Sequence, residues 1–169
     1  SIQTSRLKFK INNDEINILL GIGGSGPTKR ISAKIFIEFM RLITKNRKCK
    51  FFLATGKNIE EQEILKEILN TEFKNQCYSL DDLNLTEILP IIKNCDISVC
   101  NDSSFCHLSS ALGVQTIVLM ADAPILYGSY SPRMYPIIPD GVDFVTHGTN
   151  GKDKINPKKI FQQFNKILN

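Results

Sequence analysis

The stretch NDSSFCHLSSALG at residues 101–113 gathers an acid, four serines, a cysteine and a histidine directly after the apolar run DISVC. Several chemistries use such residues. A Ser–His–acid hydrolase needs nucleophile, base and orienting acid to converge, which neighbours in one helix do not, and the G-x-S-x-G elbow is absent. A zinc site drawn from Cys95, Cys100, Cys106 and His107 would follow no common ligand spacing. What the pattern does supply is a helix start, with Asp102 or Ser103 as N-cap and unpaired amides in the first turn. Ser103, Ser104 and those amides make a cradle for an anion, favoured further by the helix dipole. His107 lies one turn after Ser103 and can face the same ligand. Plain capping accounts for Asp102 and the serines equally well.

Two other loops carry chemistry of the same kind. GIGGSGPTKR at residues 21–30 offers glycine backbone, a hydroxyl from Ser25 or Thr28, and the cations Lys29 and Arg30. Glycine lets backbone amides approach a phosphate closely, and a cation ahead of a helix neutralises it. The loop lacks the Gly-Lys-Ser/Thr of a Walker A motif and the spacing of G-x-G-x-x-G, so it reads as a phosphate loop of another kind or as a flexible turn. TGKNIEEQE places Glu60 and Glu61 in the first turn of a helix, where acids complement the dipole and where a carboxylate can accept ribose hydroxyls.

The elements that must position these loops alternate along the chain. INILLGI is a continuous apolar run, as a buried strand requires, and SAKIFIEFMRLITK follows as a helix with Ser32 as N-cap. KFFLAT, QCYSL, DISVC and QTIVLM read as further strands. IEEQEILKEILN, LTEILPIIKN and SSFCHLSSAL read as helices, the second entered early or kinked by Pro90 and the third ended by Gly113 at C′. Residues 121–141 hold four prolines and read as a long ordered loop, with VDFVT as a last strand. NPKKIFQQFNKIL is a final helix with Asn156 as N-cap and Pro157 at N1. Repeated strand–helix–strand units predict an α/β fold: a Rossmann-like, doubly wound parallel sheet of about six strands with flanking helices. In such sheets ligands bind beyond the carboxyl ends of the strands, and the three loops above lie there.

Composition narrows the class. With 42% hydrophobic and 22% charged residues the chain is globular rather than disordered. A net charge of +4, with no basic block interleaved with aromatics, argues against nucleic acid as a partner and permits anionic small molecules or a peripheral membrane contact. Five cysteines without CxxC spacing read as reduced thiols of a cytoplasmic protein.

Taken in order, these segments resemble the C-terminal half of the ADP-heptose:lipopolysaccharide heptosyltransferases and their relatives in glycosyltransferase family 9. The resemblance runs from the apolar strand into GGSGPTKRISAKIFIEF, through ATGKNIEEQEILKEIL, to LTEILPIIKNCDISVCNDSSFCHLSSALGVQTIVLM and the Pro-rich LYGSYSPRMYPI. The third block is similar to the family's Asp-Ser/Thr-Gly-x-x-His-x-x-x-Ala-Leu-Gly signature, with Ser104 where the family has glycine. Ile31 and Ser32 stand where it has an aromatic–proline pair. Residues 1–15 are polar enough to be an entry segment, and the resemblance implies half of a GT-B fold: a donor-binding domain over residues 16–169, and an acceptor domain that is absent from this chain and holds the catalytic base. It implies that Lys29 contacts the donor phosphates, beside the Ser25 and Thr28 hydroxyls of its loop, Glu60 the ribose, and Asp102, Ser103, Ser104 and His107 the diphosphate and sugar. The implied function is inverting transfer from an ADP- or other NDP-sugar to a lipopolysaccharide or related lipid-linked acceptor at the inner membrane, without a metal or other cofactor, and without turnover by this half alone. A non-catalytic nucleotide- or anion-binding module of the same build is the alternative.

Overall fold

The computed structural model describes residues 15–24 and 26–169; Ser25 and the entry segment, Glu15 apart, lie outside the described residues. The strands are β1 Ile16–Gly21, β2 Cys49–Ala54, β3 Cys77–Ser79, β4 Ile97–Asn101, β5 Gln115–Leu119 and β6 Met134–Ile137. They form one sheet in the order β3-β2-β1-β4-β5-β6, and every adjacent pair is parallel. The helices are α1 Ala33–Thr44, α2 Ile59–Leu69, α3 Leu85–Asn94, α4 Ser104–Ala111 and α5 Pro157–Leu168.

Strand side chains alternate between two buried layers, which is why both faces need helices. Ile18, Leu20, Phe51 and Leu53 pack with Phe36 and Phe39 of α1, Leu65 of α2 and Phe164 of α5. Leu19, Phe52, Cys100 and Val118 pack with Ile91 of α3 and Cys106 of α4 on the other face. The doubly wound architecture expected from the alternating pattern is present. Its switch point lies between β1 and β4, where the chain changes direction across the sheet.

Local signals set most of the boundaries. Asn84 and Glu87 form a capping box at the start of α3, and that helix runs on through Pro90. Asn156 accepts from the Lys158 amide ahead of α5, with Pro157 at its first position. Gly113 follows α4 at φ +85°, a left-handed turn that glycine enters without steric penalty.

The edge of the sheet differs from the sequence expectation. The Pro-rich stretch contains both a 3₁₀ turn, Ile125–Gly128, and the sixth strand, whose Pro136 pairs in register with Val118. A strand with a single neighbour can hold proline, because the missing N–H is not needed on the open side. VDFVT is not a strand: Phe144 is exposed, and the β5 edge that it would have paired with is already taken by β6.

Candidate functional site

Three loops meet beyond the carboxyl ends of β1, β2 and β4, and glycine makes the approach possible. At Gly24, with φ +78°, an added Cβ would lie 2.7 Å from the Cβ of Ser103. At Gly23 it would lie 2.9 Å from the Cα of Thr55. Real Cβ atoms do not come that close, so side chains at these positions would drive the loops apart. Asn101, fully buried at the end of β4, ties the floor together by donating to the Ile22 carbonyl at 3.2 Å.

Ser103, rather than Asp102, occupies the N-cap of α4, in extended backbone at φ −153° and ψ 177°. Its hydroxyl caps nothing. The residue is 7% exposed, and its Oγ lacks a hydrogen-bond partner among the described residues. A buried hydroxyl without a partner costs about 1–3 kcal/mol, so such a group at an open helix N-terminus points to an acceptor supplied by a ligand. Ser104 stands beside it at the first helical position, exposed.

Asp102 is buried and pairs with Lys29, whose Nζ lies 3.3 Å from its Oδ2. The lysine is thereby held at the mouth of the cradle rather than extended into solvent. Asp102, Cys106 and His107 bring ligand-type atoms within 4.8 Å of one another. Burial, however, pushes the Cys106 thiol up to about 11, and its Sγ donates to the Ser103 carbonyl at 2.9 Å. With the thiol protonated and Lys29 supplying positive charge beside Asp102, the trio forms a charge-balanced wall.

His107 carries a partner that the sequence did not single out. Its Nδ1 lies 2.5 Å from the hydroxyl of Tyr130, and the two rings stack 5.6 Å apart at 17°. Tyr130 comes from the loop between β5 and β6, which residue-type patterns alone do not place over α4.

The two glutamates at the start of α2 separate. Glu61 is 4% exposed and turns inward, accepting from the Gly24 amide at 2.5 Å, the Gly56 amide at 3.1 Å and the side-chain amide of Asn58. Glu60 is exposed and pairs with Arg30, on the rim of a groove of about 310 Å³ that Pro27, Lys34 and Lys152 also line. The structure thus brings Lys29, Asp102, Ser103, Ser104 and His107 together and leaves Glu60 facing a different neighbour. The missed signal was Asn58-x-x-Glu61: an N-cap Asn accepts from the N3 amide, here at 2.8 Å, and N3 side chains turn back over the preceding loop.

Thr28 is engaged by an acid outside the predicted set. Asp122, just beyond β5, accepts from the Asn150 amide at 2.6 Å. That amide, with the Thr28 hydroxyl and the Gly148 amide, holds the Asp122 carboxyl below the usual carboxylate range despite burial.

The chain matches the family model for Glycosyltransferase family 9 (heptosyltransferase) over residues 3–163. The chain belongs to glycosyltransferase family 9. Lipopolysaccharide heptosyltransferase 1 of Campylobacter coli is 26% identical over 137 residues, covering 79% of this chain and 40% of the relative. Lipooligosaccharide heptosyltransferase 2 of Haemophilus influenzae is 26% identical over 116 residues, covering 68% and 32%. This family 9 chain therefore spans less than half the length of the curated relatives it matches.

Solved structures agree on the fold. Escherichia coli ADP-heptose LPS heptosyltransferase II superimposes with a TM-score of 0.73 at 21% identity, over 99% of this chain and 50% of its own. E. coli heptosyltransferase WaaC with ADP gives 0.75 at 15%, over 95% and 47%. The C-terminal domain of a group 1 glycosyltransferase from Francisella tularensis gives 0.61 at 16%, over 99% of this chain and 82% of its own. The architecture is that of the C-terminal half of a GT-B glycosyltransferase.

Proposed function

We propose that this family 9 domain binds the nucleoside diphosphate sugar of an inverting glycosyl transfer, with ADP-heptose or a similar donor and a lipopolysaccharide-type acceptor. One observation carries the reading: the buried, unpartnered Ser103 hydroxyl at the open N-terminus of α4, facing the Gly24 loop with Lys29 alongside. As the sugar leaves, negative charge grows on the diphosphate. The free amides of α4, the Ser103 and Ser104 hydroxyls, the Lys29 ammonium and His107 are the groups that would stabilise it. Lys29 fills the role that a divalent cation has in other transferases, so the reading needs no metal. Asp102 aims Lys29, and Thr28, held by Asp122, flanks the same loop. The first turn of α2 takes the ribose side, where Glu61 reaches the loop; Glu60 would have to leave Arg30 to take part.

The base that activates the acceptor belongs to a second half, so this chain alone should bind donor without transferring sugar. A lipid-linked acceptor would bring the whole enzyme to the cytoplasmic face of the membrane as a peripheral protein. Among the described residues no helix is long and apolar enough to cross one.

The test is calorimetric titration of the chain with ADP, UDP, GDP and pyrophosphate. Saturable ADP binding that weakens about tenfold or more in Lys29→Ala, the size of one charge-assisted contact, is expected. Binding indifferent to the lysine, or none across the panel, overturns the donor-site assignment.

A further inference from the structure

His107 and Tyr130 act as one unit. They come from α4 and from the loop after β5, their rings stack at 17°, and the Tyr130 hydroxyl sits 2.5 Å from His107 Nδ1. Either group could in principle donate, so the choice depends on what else the phenol can reach. Burial first, and then Cys106 and Asp102, raise the Tyr130 phenol above its ordinary value, so it keeps its hydrogen at neutral pH. Asp102 is close enough to be felt electrostatically, yet its carboxylate is taken by Lys29. His107 Nδ1 lies within hydrogen-bond distance of that hydroxyl, so a phenol that keeps its hydrogen can donate it there. A ring nitrogen that accepts carries no hydrogen. The remaining N–H of a neutral imidazole is then on Nε2.

We propose that Tyr130 is a positioning residue that holds the His107 ring with Nδ1 toward the phenol and the hydrogen on Nε2, so that His107 meets the departing diphosphate as a fixed N–H donor. The inference rests on the donor-site reading of α4 and adds a residue from another element to it. A histidine free to exchange tautomers would for part of the time present a lone pair to phosphate oxygens, which repel it. The stacked phenol prevents this and fixes the ring plane, so less ordering remains for the ligand to impose.

The experiment uses the 169-residue chain and the variant Tyr130→Phe, which keeps the stack and removes only the hydroxyl. Long-range proton–nitrogen correlation spectra report the tautomer of each histidine. There are two in the chain, so His147→Gln assigns the signals. Wild type should show His107 with a protonated Nε2 and a bare Nδ1, and Tyr130→Phe should show averaged nitrogens at an unchanged melting temperature. A protonated Nδ1 in wild type, or identical spectra in both proteins, overturns the inference whether or not nucleotide binds.

Titration with ADP supplies the second arm. Tyr130→Phe should raise Kd about two- to fivefold, the worth of one weakened hydrogen bond. The same change in a His107→Ala background should have no effect. An equal loss in both backgrounds would mean that the phenol contacts ligand directly, and the positioning role falls. Failure of wild type to bind ADP would sink the donor-site reading instead, while the spectra still decide whether Tyr130 sets the tautomer.

Discussion

Glu61→Ala should loosen the glycine loops while leaving the sheet intact. The carboxylate is buried and accepts from the amides of Gly24 and Gly56 and from the Asn58 side chain. Alanine strands the two backbone amides where water has little access, while the exposed Asn58 amide can turn to solvent. Each unsatisfied donor costs about 1–3 kcal/mol, and water admitted to the gap recovers part of that, so the net loss should be roughly 3–4 kcal/mol. For a chain of this length that is about 6–16 °C in melting temperature. Glu61→Gln keeps one oxygen, which can stay on the Gly24 and Gly56 amides. Its new NH₂ then faces the NH₂ of Asn58, so about one bond is lost and the cost should be roughly 1–2 kcal/mol. Urea and thermal unfolding of the ligand-free chain measure both values. The expected order is wild type, then Gln, then Ala, with the unfolding slope in urea unchanged. If Gln and Ala fall together, or if both lie within about 0.5 kcal/mol of wild type, the carboxylate is not what holds the loops.

Ser103→Ala should do the reverse, stabilising the ligand-free chain by up to about 1–3 kcal/mol because a buried hydroxyl without a partner is removed, while weakening ADP binding by roughly tenfold; a loss of stability would show that the hydroxyl is a cap after all. Asp122 gives a pH dependence. Its carboxyl is held below the usual range in the folded chain, so its contribution is complete above about pH 4 and is lost as pH falls further. Amide exchange at Asn150 should accelerate below that pH in wild type, and in Asp122→Asn it should be fast already at pH 7. The thiols should be inert in the native chain, since burial pushes Cys49 and Cys77 up to about 12 and Cys106 to about 11. Rapid labelling at pH 8 without unfolding would contradict that packing.

The sequence alone determined the alternation of buried strands and amphipathic helices, the cap at Asn156, the turn at Gly113, and the block 101–113 as a helix start. These are local properties: a period of two or of 3.6, and a side chain bonding to a nearby backbone amide, are set by covalent geometry. Lys29, Asp102, Ser103, Ser104 and His107 were legible because loops at the carboxyl ends of parallel strands must share one edge.

Tertiary structure decided what depends on contacts between distant segments. Which of Glu60 and Glu61 turns inward follows from where the Gly24 loop lies, 37 residues earlier in the chain. Tyr130 reaches His107 across 23 residues. The sixth strand hid inside a proline-rich stretch, because an edge position removes the penalty that proline would carry in the centre of a sheet. No periodicity records that a strand will be last. That is fixed only when the neighbouring edge is already in place, and the same holds for the hydroxyl of Ser103, which local pattern marks as a cap and which in the packed structure is buried without a cap bond.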